Sequence, residues 1–249
     1  MLDAFKKLIS RPPAAPEWRE VAEWAKHHQL KYKREAEGDG FVITGGMESK
    51  PWRLEWGPPQ RQYIDGHELR LRMELGLSPN LQVLLISQPL LENLERQTFE
   101  RYTESTQTVI DANTPEEMRW LAMFPKVPYK GAKDVRARFA LVSSAQAEGA
   151  SWVEGALARQ LEEAAAGFLS SEPPFVMMLL RGRAYLRLQL PAPDVRVLTQ
   201  AVGLFEVAVL QALRVAGLGA EGGADWHSTG STAWQTQLGP DESGPRKGR

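Results

Sequence analysis

Leu69, Leu71, Met73 and Leu75 alternate with Glu68, Arg70, Arg72 and Glu74, and this stripe restricts the fold more tightly than any other stretch. A period of two with apolar residues on one side and charges on the other describes a strand with one buried and one solvated face. Such a strand suits an antiparallel sheet. A doubly wound parallel sheet buries both faces and reads as continuous apolar runs.

Weaker signals of the same kind lie on either side. Leu30–Arg34 alternates faintly, and Phe41–Thr44 sits between the glycine turns Gly38-Asp39-Gly40 and Gly45-Gly46. Trp52, Leu54 and Trp56 point one way, Arg53 and Glu55 the other, and Pro58-Pro59 ends that strand. Leu81–Ile86 is an apolar strand. Val135, Ala137, Phe139 and Leu141 alternate with Arg136, Arg138 and Ala140, which predicts another. Phe175–Leu180 and Ala184–Leu190 flank Arg181-Gly182-Arg183, a hairpin turn.

Helices are predicted between these strands. Pro16 opens one that runs to about His28, with Trp18, Val21 and Ala25 at helical spacing. Ser87 is placed to cap a helix from about Pro89 to Glu100. Thr114-Pro115-Glu116-Glu117 reads as an N-cap, a first-turn proline and a capping-box glutamate. One long helix is expected from about Gln146 to Leu169, and a last one from Asp194 with Gly217 as its C-cap.

The fold class is therefore α+β, a mainly antiparallel sheet packed by helices. The chain divides into an amphipathic segment 1–11, a proline-rich linker 12–16, α+β regions 17–113 and 114–216, and a tail 217–249 rich in Gly, Ser and Thr that is expected to be disordered. Two lobes meeting near residue 113 and one shared sheet both satisfy the pattern.

Composition excludes several classes of chemistry. None of the 249 residues is cysteine, so disulfides, thiolate catalysis and zinc–thiolate sites are out. The formal net charge of −1 gives no global field toward nucleic acid or an anionic membrane. Asp3, Lys6 and Lys7 with Arg11-Pro12-Pro13 behind them do not make a secretory signal, which points to the cytoplasm.

Motifs for catalysis are missing. His67-Glu68 has Leu71 where a zinc protease motif needs its second histidine. There is no phosphate-binding Gly-Lys-Ser/Thr loop, dinucleotide fingerprint or Gly-x-Ser-x-Gly elbow. No metal or cofactor is expected. Aromatic residues do not interleave with basic ones as nucleic-acid stacking requires, so nucleic acid is not an expected partner.

Arginine is the exception. Arg136, Arg138, Arg181, Arg183 and Arg187 fall on or beside three predicted strands. If those strands pair, alternation brings several guanidiniums onto one face, where they would hold phosphate or carboxylate. At the N-terminus Leu2, Phe5, Leu8 and Ile9 share a helical face, with Lys6 and Lys7 off it. That segment suits contact with a protein partner or a peripheral contact with the inner membrane.

Met1–Ile9, Trp52-Arg53-Leu54-Glu55-Trp56-Gly57-Pro58 and Glu117–Pro125 together resemble bacterial proteins that carry no assigned function. The resemblance implies a bacterial cytoplasmic protein and carries over no functional residue. The leading expectation is a noncatalytic binding protein with a protein partner. The alternative is an enzyme acting on a small anionic substrate through an arginine-lined site, with His67, Asp65, Arg136 and Arg138 as its candidate groups.

Overall fold

The computed structural model describes residues 16–35, 39–47, 49–104 and 115–221. The expected segment 1–11, linker residues 12–15, the capping Thr114 and the tail beyond 221 lie outside the described residues. Within them the helices are α1 (Pro16–His27), α2 (Gln88–Glu104), α3 (Glu116–Met123), α4 (Lys133–Arg138), α5 (Gln146–Val153), α6 (Ala156–Ala166) and α7 (Val195–Glu221). The strands are β1 (Lys31–Arg34), β2 (Phe41–Met47), β3 (Lys50–Gly57), β4 (Glu68–Glu74), β5 (Val83–Ser87), β6 (Phe139–Ser143), β7 (Phe175–Leu180) and β8 (Arg183–Gln189).

All eight strands form one antiparallel sheet in the order β1-β2-β3-β4-β8-β7-β5-β6. The chain runs β1 to β4 as a meander. It then skips two strand positions to β5, and the β7–β8 hairpin later fills the gap beside β4. Regions 17–113 and 114–216 thus share one sheet.

The alternating stripe behaves as its period requires. Leu69, Leu71 and Met73 of β4 are at most 2% exposed, beside Trp52, Leu54 and Trp56 of β3. With α1, α5, α6 and α7 this face closes the main core. A smaller core lies on the opposite face, where Leu84, Ile86, Val176 and Met178 meet Leu91 and Leu94 of α2 and Met118 and Trp120 of α3. Two cores on opposite faces make β5 and β7 buried on both sides. This is why they read as unbroken apolar runs.

The β7–β8 turn is as expected from its residues. Arg181 and Gly182 have φ of 50° and 77°, the two left-handed positions of a tight hairpin. The Gly182 carbonyl accepts hydrogen bonds from the N–H groups of Leu75 and Gly76, at 2.9 and 3.0 Å. A Cβ on Gly182 would sit 2.8 Å from the Leu77 carbonyl oxygen, so the turn is pinned against the end of β4. Asp194 caps α7, its Oδ1 accepting from the N–H groups of Arg196 and Val197 at 2.8 and 3.0 Å.

Several expectations are corrected. The expected strand from Val135 starts at Phe139, and Lys133–Arg138 is the short helix α4. Val135 and Phe139 are four apart, a spacing that fits a helical face as well as a strand, and the exposed Ala137 breaks the alternation. The long helix 146–169 is two helices, α5 and α6. They part where Gly155 takes a φ of 71°. Ser87 does not cap α2: its hydroxyl donates to the Pro173 carbonyl and accepts from the Phe175 N–H, tying β5 to β7. Gly217 does not end the last helix, which continues to Glu221. By length and composition α7 could cross a membrane over Val195–Gly217. In this fold its Leu198, Leu204, Phe205 and Val209 are at most 1% exposed and close the main core.

Candidate functional site: a basic sheet face

The face of β1–β4 and β8 opposite the main core is polar. Register aligns its side chains in rows. One row runs Lys31, Thr44, Arg53, Arg72, Tyr185 across five strands, and the next runs Lys33, Val42, Glu55, Arg70, Arg187. Glu74 stands opposite Arg183 beyond the first row. Seven cations, Lys31, Lys33, Arg53, Arg70, Arg72, Arg183 and Arg187, therefore share this strand face with three carboxylates, Glu55, Glu68 and Glu74. A protein with a net charge of −1 has concentrated positive charge on one side of half its sheet.

The two ends of this face differ. Near the small core the charges are buried and paired. Glu68 and Glu117 are both fully buried. The Glu117 carboxylate accepts from Arg61 Nε at 3.0 and 3.2 Å and from the Tyr63 hydroxyl at 3.0 Å. Glu68 accepts from Arg187 and from the Gln60 N–H at 2.7 Å, and Arg70 lies 3.3 Å away. This network joins the loop before β4 to α3 and to the two central strands. It also corrects the capping-box reading of Glu117: α3 begins with Pro115 as its N-cap and no side-chain cap.

Burial and the Glu117 charge raise the Tyr63 hydroxyl well above the usual tyrosine range, and burial pushes Tyr129 up to about 12. An unfolded chain releases its tyrosine protons at about pH 10. The folded protein holds these two longer. Their contribution is complete below about pH 10 and declines as pH rises further, because the unfolded state then binds fewer protons. Denaturant unfolding is expected to give constant stability across mildly alkaline pH and falling stability above about pH 10. Ultraviolet titration showing every tyrosine ionising at its ordinary pH in the folded protein would contradict this.

Away from the small core the face is open among the described residues. Lys31 and Lys33 are exposed, and Arg53, Arg72 and Glu74 keep 42, 57 and 59% of their side-chain surface. Glu55 receives Arg53 through a short hydrogen bond, Arg70 at 3.2 Å and Arg72 at 3.7 Å. Burial raises the Glu55 carboxyl, but those three arginines outweigh it and hold the group below its usual value. One carboxylate thus serves three guanidiniums. Arg183 is paired with Glu74. Arg53, Arg72, Glu74 and Arg183 line a shallow groove of about 470 Å³, together with Thr44, Pro51, Trp52 and Met73.

The arginines expected from the sequence are dispersed. Arg183 and Arg187 lie on this face, and Arg181 in the turn pairs with Glu116 of α3 at 3.0 Å. Arg138 donates to the Ala165 carbonyl at 3.1 Å, near the end of α6, and lies 3.8 Å from Glu172. Arg136 is exposed on α4. Three strands, β8, β7 and β5, separate β4 from β6, so Arg136 and Arg138 do not join His67 and Asp65. His67 instead stacks on Trp56, ring centroids 4.3 Å apart, and its Nε2 is 3.1 Å from Asp39 Oδ2. The Asp65 N–H donates to Gln189 Oε1 at 3.0 Å. The N-terminal candidates Leu2, Phe5, Lys6, Lys7, Leu8 and Ile9 lie outside the described residues. Among the described residues no group of three or more His, Asp or Glu is arranged to hold a metal ion.

Arg53, Arg70, Arg72 and Glu55 are not among the site residues that the sequence pattern predicts. The signal that marks them is the polar half of the alternation in β3 and β4, and it becomes a site only once register places Arg53 opposite Arg72.

Fold and face define an α+β protein with one antiparallel sheet which, among the described residues, is covered on both sides at one end and open on a basic side at the other. Comparison with protein-family models finds no matching family, and comparison with curated proteins finds no match. Among solved structures the chain is similar to the crystal structure of the mycobacterial trehalose monomycolate transport factor A, TtfA. The identity is 12%, over 79% of this chain and 94% of that one, with a TM-score of 0.45. A likeness so slight carries no argument about function.

Proposed function

We propose that this is a noncatalytic binding protein that recognises an anionic ligand on the open, basic half of its sheet. The supporting observation is the Arg53–Arg72 pair. The two residues stand directly opposite each other on β3 and β4, and their guanidiniums share Glu55 with Arg70. Like charges directly opposite in a sheet are destabilising. At the neighbouring Arg70–Arg187 pair the buried Glu68 and Glu117 offset that cost. At Arg53 and Arg72 a third of one carboxylate each is a poor offset, and an incoming anion would complete it. Tyr185 is the only aromatic residue among the strand positions of this face, so a base-stacking platform for nucleic acid is lacking.

Immobilised heparin, a general polyanion, tests the reading. The protein is expected to be retained at low salt in spite of its net charge of −1. Arg72→Glu is expected to elute much earlier. Arg159→Glu, which makes the same change in net charge at an exposed position on α6, is expected to elute close to the wild type. Flow-through of the wild type, or equal loss from both substitutions, would refute the proposal.

A further inference from the structure

We infer that the groove at Arg53 and Arg72 is a site for a phosphomonoester group; this rests on the anion-binding reading above and names the chemistry of the ligand. The groove has the volume of a small-molecule site, about 470 Å³. Its lining includes Thr44, Arg53 and Arg72, each directly opposite the next, and Lys31 continues the row beyond it on β1. Two guanidinium forks side by side, a hydroxyl next to them and an exposed lysine beyond make a donor set larger than one carboxylate can use. A carboxylate has two oxygens and one charge, and a single arginine fork satisfies it. A phosphomonoester has three terminal oxygens and a charge between about −1.5 and −2 at neutral pH. It can accept from both forks and from Thr44 at once, and its second charge answers the surplus that Glu55 leaves.

The same argument accounts for the exposure pattern. Arg70 and Arg187 keep 13 and 11% of their side-chain surface and are committed to Glu55, Glu68 and Glu117. Arg53 and Arg72 keep 42 and 57% and hold only a share of Glu55. On β3 and β4 the under-neutralised Arg53 and Arg72 line the groove, beside Arg183, which is exposed and paired with Glu74.

A phosphomonoester can arrive free in solution or as a lipid headgroup, and two arms separate these sources. In the first, glycerol 3-phosphate is titrated calorimetrically into the full chain, with malonate as a carboxylate control. In the second, the full chain is sedimented with phosphatidylcholine vesicles carrying phosphatidic acid, with phosphatidylglycerol at equal charge as the phosphodiester control. The expected result is saturable binding of the monoester in at least one arm. It is expected to weaken at least about tenfold in Arg53→Ala and in Arg72→Ala, the size of one lost charge-assisted contact. Binding in solution assigns a soluble ligand, and binding only to phosphatidic acid vesicles assigns a headgroup. Absence of binding in both arms, equal binding of the controls, or binding indifferent to both substitutions would overturn the inference.

Stability supplies a second readout. Removing one of two facing like charges is expected to leave the melting temperature unchanged or higher. A clear fall in both variants would show that the pair serves folding, which also overturns the inference. Heparin retention that depends on Arg72, without monoester binding, would sink this inference alone. Loss of heparin retention as well would sink the broader reading with it.

Discussion

Glu117→Ala is expected to cost about 3–5 kcal/mol of folding stability, because it leaves buried cationic and hydroxyl groups without their acceptor. In a chain of this size that is a fall in melting temperature on the order of 10 °C. The Glu117 carboxylate is fully buried and accepts from Arg61 Nε and the Tyr63 hydroxyl, with Arg187 Nε 3.9 Å away. Alanine removes the one group that all three face. Arg61 keeps 22% of its side-chain surface and can turn partly toward water. Arg187, at 11%, has little such freedom and would depend on Glu68 alone. The double substitution Glu117→Met with Arg61→Met separates charge from packing. It is expected to recover much of the loss, since an apolar pair of similar volume leaves no unpaired charge between these two positions. A single-variant loss of under about 1 kcal/mol, the worth of an exposed pair, would show that the network is solvated and not buried.

How far the fold could be read from the sequence follows from where one period decides the structure. Leu69, Leu71 and Met73 alternate because one side of β4 faces the core and the other faces charges, and nothing competes with that pattern. The Arg181-Gly182 hairpin was legible because glycine in a two-residue loop between apolar strands has few other uses. Val135 and Phe139 were ambiguous because a spacing of four fits both a helix face and a strand face. Glu117 was misread for a related reason. A glutamate after Thr-Pro at a helix start satisfies the capping pattern, while its actual partners, Arg61 and Tyr63, are more than fifty positions away. The site was hidden for the same cause. Arg53 and Arg72 each looked like ordinary solvated positions in an alternating strand. Only pairing register sets them opposite each other, and a one-residue slip of either strand would have put its arginine on the core face. Long-range register is what local periodicity does not encode.

Trp56→Ala is the second substitution with a large expected effect, about 3–5 kcal/mol by the usual cost of deleting a buried aromatic side chain. Trp56 is 3% exposed and lies at the centre of a ring cluster. Phe41 stacks on it at 5.6 Å, Trp18 of α1 meets it edge-on at 6.0 Å, and His67 lies parallel at 4.3 Å. Its Nε1 donates to the Leu190 carbonyl at 2.8 Å, and the Leu190 N–H donates to the His67 carbonyl at 3.1 Å. One side chain therefore joins α1, the β2–β3 pair, the start of β4 and the chain just beyond β8. Trp56→Phe keeps most of the ring contacts and removes the indole donor, leaving a buried carbonyl unsatisfied. Its expected cost is smaller, about 1–3 kcal/mol. The ordering matters more than either value. If Phe costs as much as Ala, the hydrogen bond to Leu190 holds this end of the sheet and the rings contribute little. If Phe is neutral, the rings do nearly all of it. Because Trp56 faces the main core and Arg53 the opposite side of the same strand, Trp56→Phe is expected to leave heparin retention unchanged while it lowers stability. A joint loss of both would mean that the basic face depends on the aromatic cluster beneath it for its shape.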